Sequence, residues 1–298
     1  MTSSTSSKQV DVAITIDVDA IAGWLGSYGG EKSLCDLSRG EFAGKIGVPR
    51  LLETFEKFGI KTTWFLCGHS IETFYANIKR VADAGHEIQP HGYTHENPTA
   101  LSREQEEKIL VKTSQLVQKL NGKKPIGYRA PWWEYSVNTL DLLIKHGIIY
   151  DSSLMGDEFD PYFVRKGDKW YPIDYSKDPD TWMKPYEFGQ ETNLVEIPVS
   201  WYLDDLPPQM FIKHPIYNYG WTHPDIVYLT LFKDHFDYLY NRKGQGVLNI
   251  TIHPDVSGRV QGILRLEKLI QYIMGHPGAR FTTLSEVATD FLKKHKKM

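Results

Sequence analysis

Between residues 10 and 150, short apolar runs alternate with segments of helical period, and this alternation limits the fold more than any other feature. Val10, Val12, Ala13, Ile14 and Ile16 form a nearly continuous apolar run, the mark of a strand buried on both faces. Pro49 then opens a helix with Leu51, Leu52, Phe55 and Phe58 on one face, and Gly59 stops it. Residues 61–67 (KTTWFLC) predict a second strand, residues 71–84 a helix ending at Gly85, and residues 87–89 a short strand. Ser102-Arg103-Glu104-Gln105 has capping-box form, ahead of Ile109, Thr113, Leu116, Val117 and Leu120 at helical spacing. Residues 126–129 read as strand, 136–146 as helix and 148–150 as strand. Such alternation predicts right-handed βαβ units around a parallel sheet, and a single-domain α/β barrel fits it best.

Two stretches break the rhythm. Residues 23–47 are rich in Gly and small polar residues and predict a long ordered loop, a class that is usually functional. Residues 156–224 are dense in Pro, Trp, Tyr and Asp, with strand character only near 194–197, and predict an insertion over the face of the sheet. Alternation returns with a helix near 225–241, a strand at 246–252, a helix near 262–275 and a strand at 280–283. Thr283-Leu284-Ser285-Glu286 is a second capping box, opening the last helix. The expected organisation is a flexible leader (1–9), one catalytic domain (10–292) with an aromatic-rich insertion at about 156–224, and a basic tail (293–298).

Composition excludes several partners. The net charge is −3 and no basic stripe precedes the closing lysines, which argues against nucleic acid. No apolar run is long enough to cross a membrane. Cys35 and Cys67, the two cysteines, have no zinc-type spacing and do not suggest a disulfide scaffold. The polar Ser/Thr leader has no apolar signal region, so a cytoplasmic location is expected.

Ionisable residues gather where strands end. Asp17 and Asp19 close the first strand one residue apart, so alternation puts them on the same side. His91 and His95 follow the strand at 87–89, Arg129 ends the next, and His253 ends the strand at 246–252. In a parallel barrel these C-terminal ends share one rim, where catalytic groups sit. The HxxxH spacing fits two geometries: one helix face, or a tight turn favoured by Pro90 and Gly92. Two imidazoles and the Asp19 carboxylate would leave open positions on a divalent metal, as catalytic zinc requires. Asp17 is then free to act as base and His253 to protonate a leaving nitrogen, with Asp255 placed to orient it. His86 reads as structural, and His69 either lines the pocket or caps the following helix.

Asp17-Val18-Asp19, His91-Gly-Tyr-Thr-His95, Arg129-Ala130-Pro131-Trp132 and Ile252-His253 stand in the order of the NodB-homology, polysaccharide-deacetylase-like family (carbohydrate esterase family 4), which the chain resembles over residues 10–292. The resemblance implies a distorted (β/α) barrel with fewer than eight strands and a metal-assisted hydrolase of non-peptide C–N bonds. Residue by residue, it makes Asp17 the base, Asp19, His91 and His95 the metal ligands, Arg129 the group that positions the base, and His253 the general acid. The interposed Val18, with Ala22-Gly23-Trp24-Leu25-Gly26 and the segment from Gly68 to Phe74, resembles an atypical branch. That branch includes peptidoglycan deacetylases without ordinary secretion signals, cyclic imide hydrolases and metal-independent allantoinases.

From these features the expected cofactor is one divalent ion, zinc fitting best. Trp24, His69, Pro131, Trp132, Trp133 and Trp201 are the expected pocket walls. The missing export signal and the two long segments over the rim favour a small substrate, a cyclic imide or related cyclic amide. The alternatives are N-deacetylation of peptidoglycan, chitin or another N-acetylated polysaccharide, an allantoinase-like reaction without metal, and a non-catalytic ligand-binding protein. The branch resemblance implies a homo-oligomer, with a tetramer as one form.

Overall fold

A computed structural model describes residues 8–212 and 221–295. It opens with β1 (Gln9–Val18), α1 (Ile21–Gly26), α2 (Leu34–Phe42) and α3 (Val48–Phe58). Then follow β2 (Thr63–Leu66), α4 (Gly68–Thr73), α5 (Tyr75–Asp83), β3 (Glu87–Pro90) and α6 (Arg103–Asn121). The middle holds β4 (Gly127–Tyr128), α7 (Thr139–Lys145), β5 (Tyr150–Asp151), β6 (Tyr162–Lys166), β7 (Gln190–Glu196) and α8 (Leu206–Gln209). The chain ends with α9 (Pro224–Ile226), α10 (Lys233–Tyr238), β8 (Gln245–Ile252), α11 (Val260–Met274), β9 (Ala279–Phe281) and α12 (Leu284–His295).

Strand β1 is the axis of the molecule. It pairs in parallel with β2 on one side and β8 on the other, with Ile14 opposite Ile250 and Ile16 opposite Ile252. One sheet runs β3-β2-β1-β8 with β9 against β1, and a second runs β4-β5-β7-β6. A hydrogen bond from Arg129 N to Pro90 O joins the two where β3 meets β4. Among the described strands only β6 pairs antiparallel, and it lies in the insertion. Val12, Ile14, Ile16, Leu51, Leu52, Phe55, Trp64, Leu248, Ile250 and Leu266 fill one core with almost no exposure. Burial on this scale contributes roughly 25 cal/mol per Å² of apolar surface.

Local chemistry explains most boundaries. Gly59 and Gly122 end α3 and α6 in the left-handed conformation, φ 65° and 75°. Ser102 and Gln105 form the expected reciprocal cap of α6. The expected loop at 23–47 is instead helical, with α1, α2 and a π-helical turn at Ala43–Gly47 running into α3. Its helices pack backbone to backbone, since a Cβ on Gly40 would lie 2.6 Å from the Ala20 carbonyl carbon. Three boundaries also move. Gln9, expected in the leader, belongs to β1; residues 293–295, expected in the tail, extend α12; and the helix expected at 71–84 is divided between α4 and α5. Part of the expected insertion, residues 213–220, lies outside the described residues, as do most of the leader and the last three residues. Among the described residues no helix is long and apolar enough to cross a membrane, and both cysteines are free.

Candidate active site

All the strand-end residues singled out in the sequence meet at the C-terminal rim of the first sheet. Asp17 and Asp19 flank Val18 at the end of β1, so both carboxylates face the rim while Val18 enters the core. Asp17, Asp19, His91, Arg129 and His253 are each no more than 5% exposed, and His95 is 6% exposed.

The HxxxH segment is a turn and not a helix: His95 has φ 60° and Gly92 φ 64°. His91 Nε2 lies 3.5 Å from Asp19 Oδ1, and His95 Nε2 lies 3.5 Å from Asp19 Oδ2. The protons of both rings are committed on their far sides. His91 Nδ1 is 2.8 Å from the Arg129 carbonyl, which only accepts, so Nδ1 carries a hydrogen and Nε2 is the nitrogen left to bind a metal. Burial also lowers the His95 pKa to about 4, the like-charged rings of His91 and His253 adding to the fall, which keeps this imidazole neutral near pH 7. Asp19 is held at about 2: burial alone would raise it, but His95, His253, His91 and the Tyr28 hydroxyl outweigh that. Two imidazole Nε2 atoms aimed at one carboxylate leave a space that suits a divalent cation, which binds the neutral form of the ring. The donor set fits the metal that the sequence implies.

Asp17 stands beside this triad. Its Oδ1 accepts from Arg129 Nη1 at 2.7 Å, and its Oδ2 is 3.9 Å from His91 Nε2. Arg129 is fully buried and hydrogen-bonded through all three nitrogens, with Nε on Ser152 O (2.8 Å), Nη2 on Ser152 Oγ (2.8 Å) and Nη1 also on Thr15 Oγ1 (2.9 Å). The guanidinium also stacks 4.2 Å over the Phe65 ring. One side chain thus carries the geometry of the candidate base.

His253 approaches from β8, with Nε2 3.7 Å from Asp19 Oδ2. Its Nδ1 donates to Asp205 Oδ1 at 2.9 Å, and both Asp205 oxygens accept the His253 backbone N–H at 3.0 and 3.1 Å. Burial alone would depress this imidazole, yet Asp204, Asp205 and Asp19 raise its pKa well above 6.5. A protonated Nε2 therefore faces the cleft near neutral pH. The expected orienting partner, Asp255, does not serve. Neither of its buried carboxylate oxygens has a hydrogen-bond partner among the described residues, and Asp205 does the orienting from 48 positions earlier. Asp204, Asp205 and His253 also lie close enough to suggest a second cation site. Their polar atoms are already engaged by N–H groups and by Ser257, so the cluster is better described as an ion-pair network.

Tyr28, Trp132, Trp133, Trp201 and Leu206 wall the cleft above the triad. Trp133 and Trp201 pack with ring centroids 4.4 Å apart, and Trp132 and Trp133 have φ 63° and 51°, strained values for non-glycine residues. The free space at the cleft floor is about 40 Å³, room for an ion or water and a small acyl group. A larger cleft of about 390 Å³ opens at the opposite, N-terminal ends of β1 and β8. Its acids Asp11, Asp160 and Asp290 pair with Arg280 and Lys243, and the described residues bring no converging donor set to it. Chemistry therefore favours the smaller cleft.

Three expected wall residues fall elsewhere. Trp24 is buried behind Tyr28, edge to face at 5.2 Å, and His69 packs edge to face on Tyr93. Pro131 lies against Gly92, where a Cβ would come within 2.7 Å of it. His86 is structural, as expected, its Nδ1 taking the Thr62 backbone N–H at 3.2 Å. Sequence reasoning missed Ser27, Tyr28, Ser152 and the Asp205 role, because none stands in a spacing that signals chemistry.

Relatives bear on the reaction. The family model described as Polysaccharide deacetylase matches residues 43–150. A peptidoglycan deacetylase of Helicobacter pylori is 53% identical over 289 residues, covering 97% of this chain and 98% of that protein. A peptidoglycan deacetylase-like protein of Gibberella zeae, FGM2, is 36% identical, covering 96% and 87%. Among solved structures, a Mycobacterium smegmatis protein classed with the polysaccharide deacetylases superposes with a TM-score of 0.81 at 28% identity, covering 98% of this chain and 93% of that one. The allantoinase PuuE shares the fold at a TM-score of 0.77 and 20% identity, covering 99% and 94%. These relatives favour the deacetylase alternative over the cyclic imide expected from the sequence. The chain belongs to the polysaccharide deacetylase family and is a hydrolase of carbon–nitrogen bonds other than peptide bonds.

Proposed function

We propose that this chain removes acetyl groups from N-acetylated sugars of peptidoglycan or a related polysaccharide, with a divalent ion, zinc fitting best, held by Asp19, His91 and His95. The observation that carries the reading is the pairing of an arginine-held carboxylate with a charged imidazole on two sides of one buried triad. The Helicobacter pylori and Gibberella zeae relatives supply the substrate class.

The residues divide the work. Asp19, His91 and His95 would hold an ion that would supply polarisation of the amide carbonyl and a more acidic water. Asp17, oriented by Arg129 through Oδ1, accepts the proton of the attacking water as its oxygen bonds to the acetyl carbon. His253, kept protonated by Asp204 and Asp205, donates from Nε2 to the sugar nitrogen as the C–N bond breaks. Acetic acid and a free amine result and exchange a proton to leave as acetate and ammonium, while the proton taken by Asp17 balances the one given by His253. The floor of about 40 Å³ admits the acetyl group while the sugar rests against Trp132, Trp133 and Trp201.

One assay separates the readings. Purified, metal-loaded protein is offered an acetylated chitooligosaccharide, peptidoglycan, succinimide, hydantoin and allantoin. Acetate release from the first two, without ring opening of the others, is the expected result; ring opening without acetate release would overturn the proposal.

A further inference from the structure

Ser27 and Tyr28 follow α1, outside every motif that carries the chemistry. Tyr28 Oη donates to Asp19 Oδ2 at 2.6 Å, and the contact is buried. Ser27 Oγ meets His95 twice. It donates to the His95 carbonyl at 2.8 Å and also contacts Nδ1 of the ring. A hydroxyl has one proton, and the carbonyl takes it, so the second contact runs the other way: His95 Nδ1–H donates to Oγ. That leaves the Nε2 lone pair facing Asp19 Oδ2.

The backbone is shaped for these contacts. A Cβ on Gly26 would fall 1.9 Å from the Thr94 carbonyl oxygen, so only glycine lets this turn lie against the histidine turn. A Cβ on Gly23 would fall 2.3 Å from the Tyr28 ring. His95 itself is held at φ 60°, unfavourable for a side chain of its size, and its carbonyl and ring are both tied to Ser27.

We infer that the Ser27-Tyr28 turn is the outer shell of the metal centre, positioning two of its three ligands: Tyr28 sets the carboxylate of Asp19, and Ser27 sets the tautomer and aim of His95. The inference rests on the metal-hydrolase reading above. His91 takes the equivalent support from the Arg129 carbonyl, within the motifs already described. Outer partners of this kind typically contribute 10–100-fold to metal affinity.

The test measures zinc affinity by competition with a chromophoric chelator for wild type, Tyr28→Phe and Ser27→Ala, with thermal unfolding of each metal-free protein alongside. Tyr28→Phe keeps the ring against Trp24 and removes only the hydroxyl. The expected result is affinity about 10–100-fold weaker in each variant, with metal-free unfolding midpoints matching wild type. Zinc affinity within twofold of wild type in both variants would overturn the inference, and so would a loss of affinity matched by unfolding of the metal-free protein. Failure of wild type itself to bind zinc would instead overturn the reading on which the inference rests.

Discussion

The Arg129 guanidinium lies 2.7 Å from the Asp17 carboxylate, and neither group meets solvent. A buried pair of this kind is weak support for stability as a whole, but removal of one partner strands the other. Arg129→Met should cost about 3–5 kcal/mol of unfolding free energy, and adding Asp17→Asn should recover part of it. Denaturant unfolding of the two single variants and the double variant checks this. Purely additive costs would mean that the two side chains do not act as a pair.

Asp17→Asn alone keeps an oxygen for Arg129 to bond and leaves the triad of Asp19, His91 and His95 whole. Bound metal per chain should match wild type, while kcat falls about 10²–10⁴-fold, the usual share of a general base. Full activity in this variant would remove Asp17 from the mechanism.

His253 must carry a proton to act as acid, so activity falls as pH rises through its pKa. That pKa is lifted by Asp204 and Asp205 against the effect of burial. Asp205→Asn removes one of these charges and should move the alkaline limb of the kcat profile to lower pH, leaving metal affinity as it was. An unmoved limb would assign that limb to another group.

A second buried acid pair lies behind the cleft. Burial raises Asp151, and burial together with Asp151 raises Glu196 well above its ordinary value, so the pair shares a proton. Glu196 Oε1 accepts the N–H groups of Ser153 and Leu154 at 2.9 Å each, next to the Ser152 that grips Arg129. A carboxyl whose folded pKa is raised adds stability below its unfolded value near 4.5, and that stability is lost as pH rises through the folded value. Glu196→Gln removes this titration while keeping an acceptor for both N–H groups. Between pH 5 and 8 the wild-type melting temperature should therefore fall more steeply than that of Glu196→Gln. Parallel curves would show that the pair does not hold a proton.

Much of this was legible in the sequence, for physical reasons that also set the limit. A strand buried on both faces must be apolar throughout, so β1 stood out from Val10 to Ile16, and Asp17 and Asp19 marked where it emerges. The segment at 23–47 misled because its helices are held by glycine-mediated backbone contact, as at Gly40, and not by an apolar stripe. Asp255 looked like the partner of His253 because it is near in sequence. Asp205 holds that place through the fold. Tyr28 lies nine residues from Asp19, yet no periodicity links a helix end to a strand end. The preference for a small cyclic substrate had a different source. It rested on the leader and on the two long segments expected over the rim, not on the cleft itself.

The central claim is that Asp19, His91 and His95 hold a metal on which deacetylation depends. It is tested most directly by acetate release from an acetylated chitooligosaccharide, using protein stripped with a chelator and then titrated with zinc. The account predicts no release from stripped protein and recovery that saturates at one ion per chain, with no recovery in His91→Ala. Full acetate release from metal-free protein would contradict it.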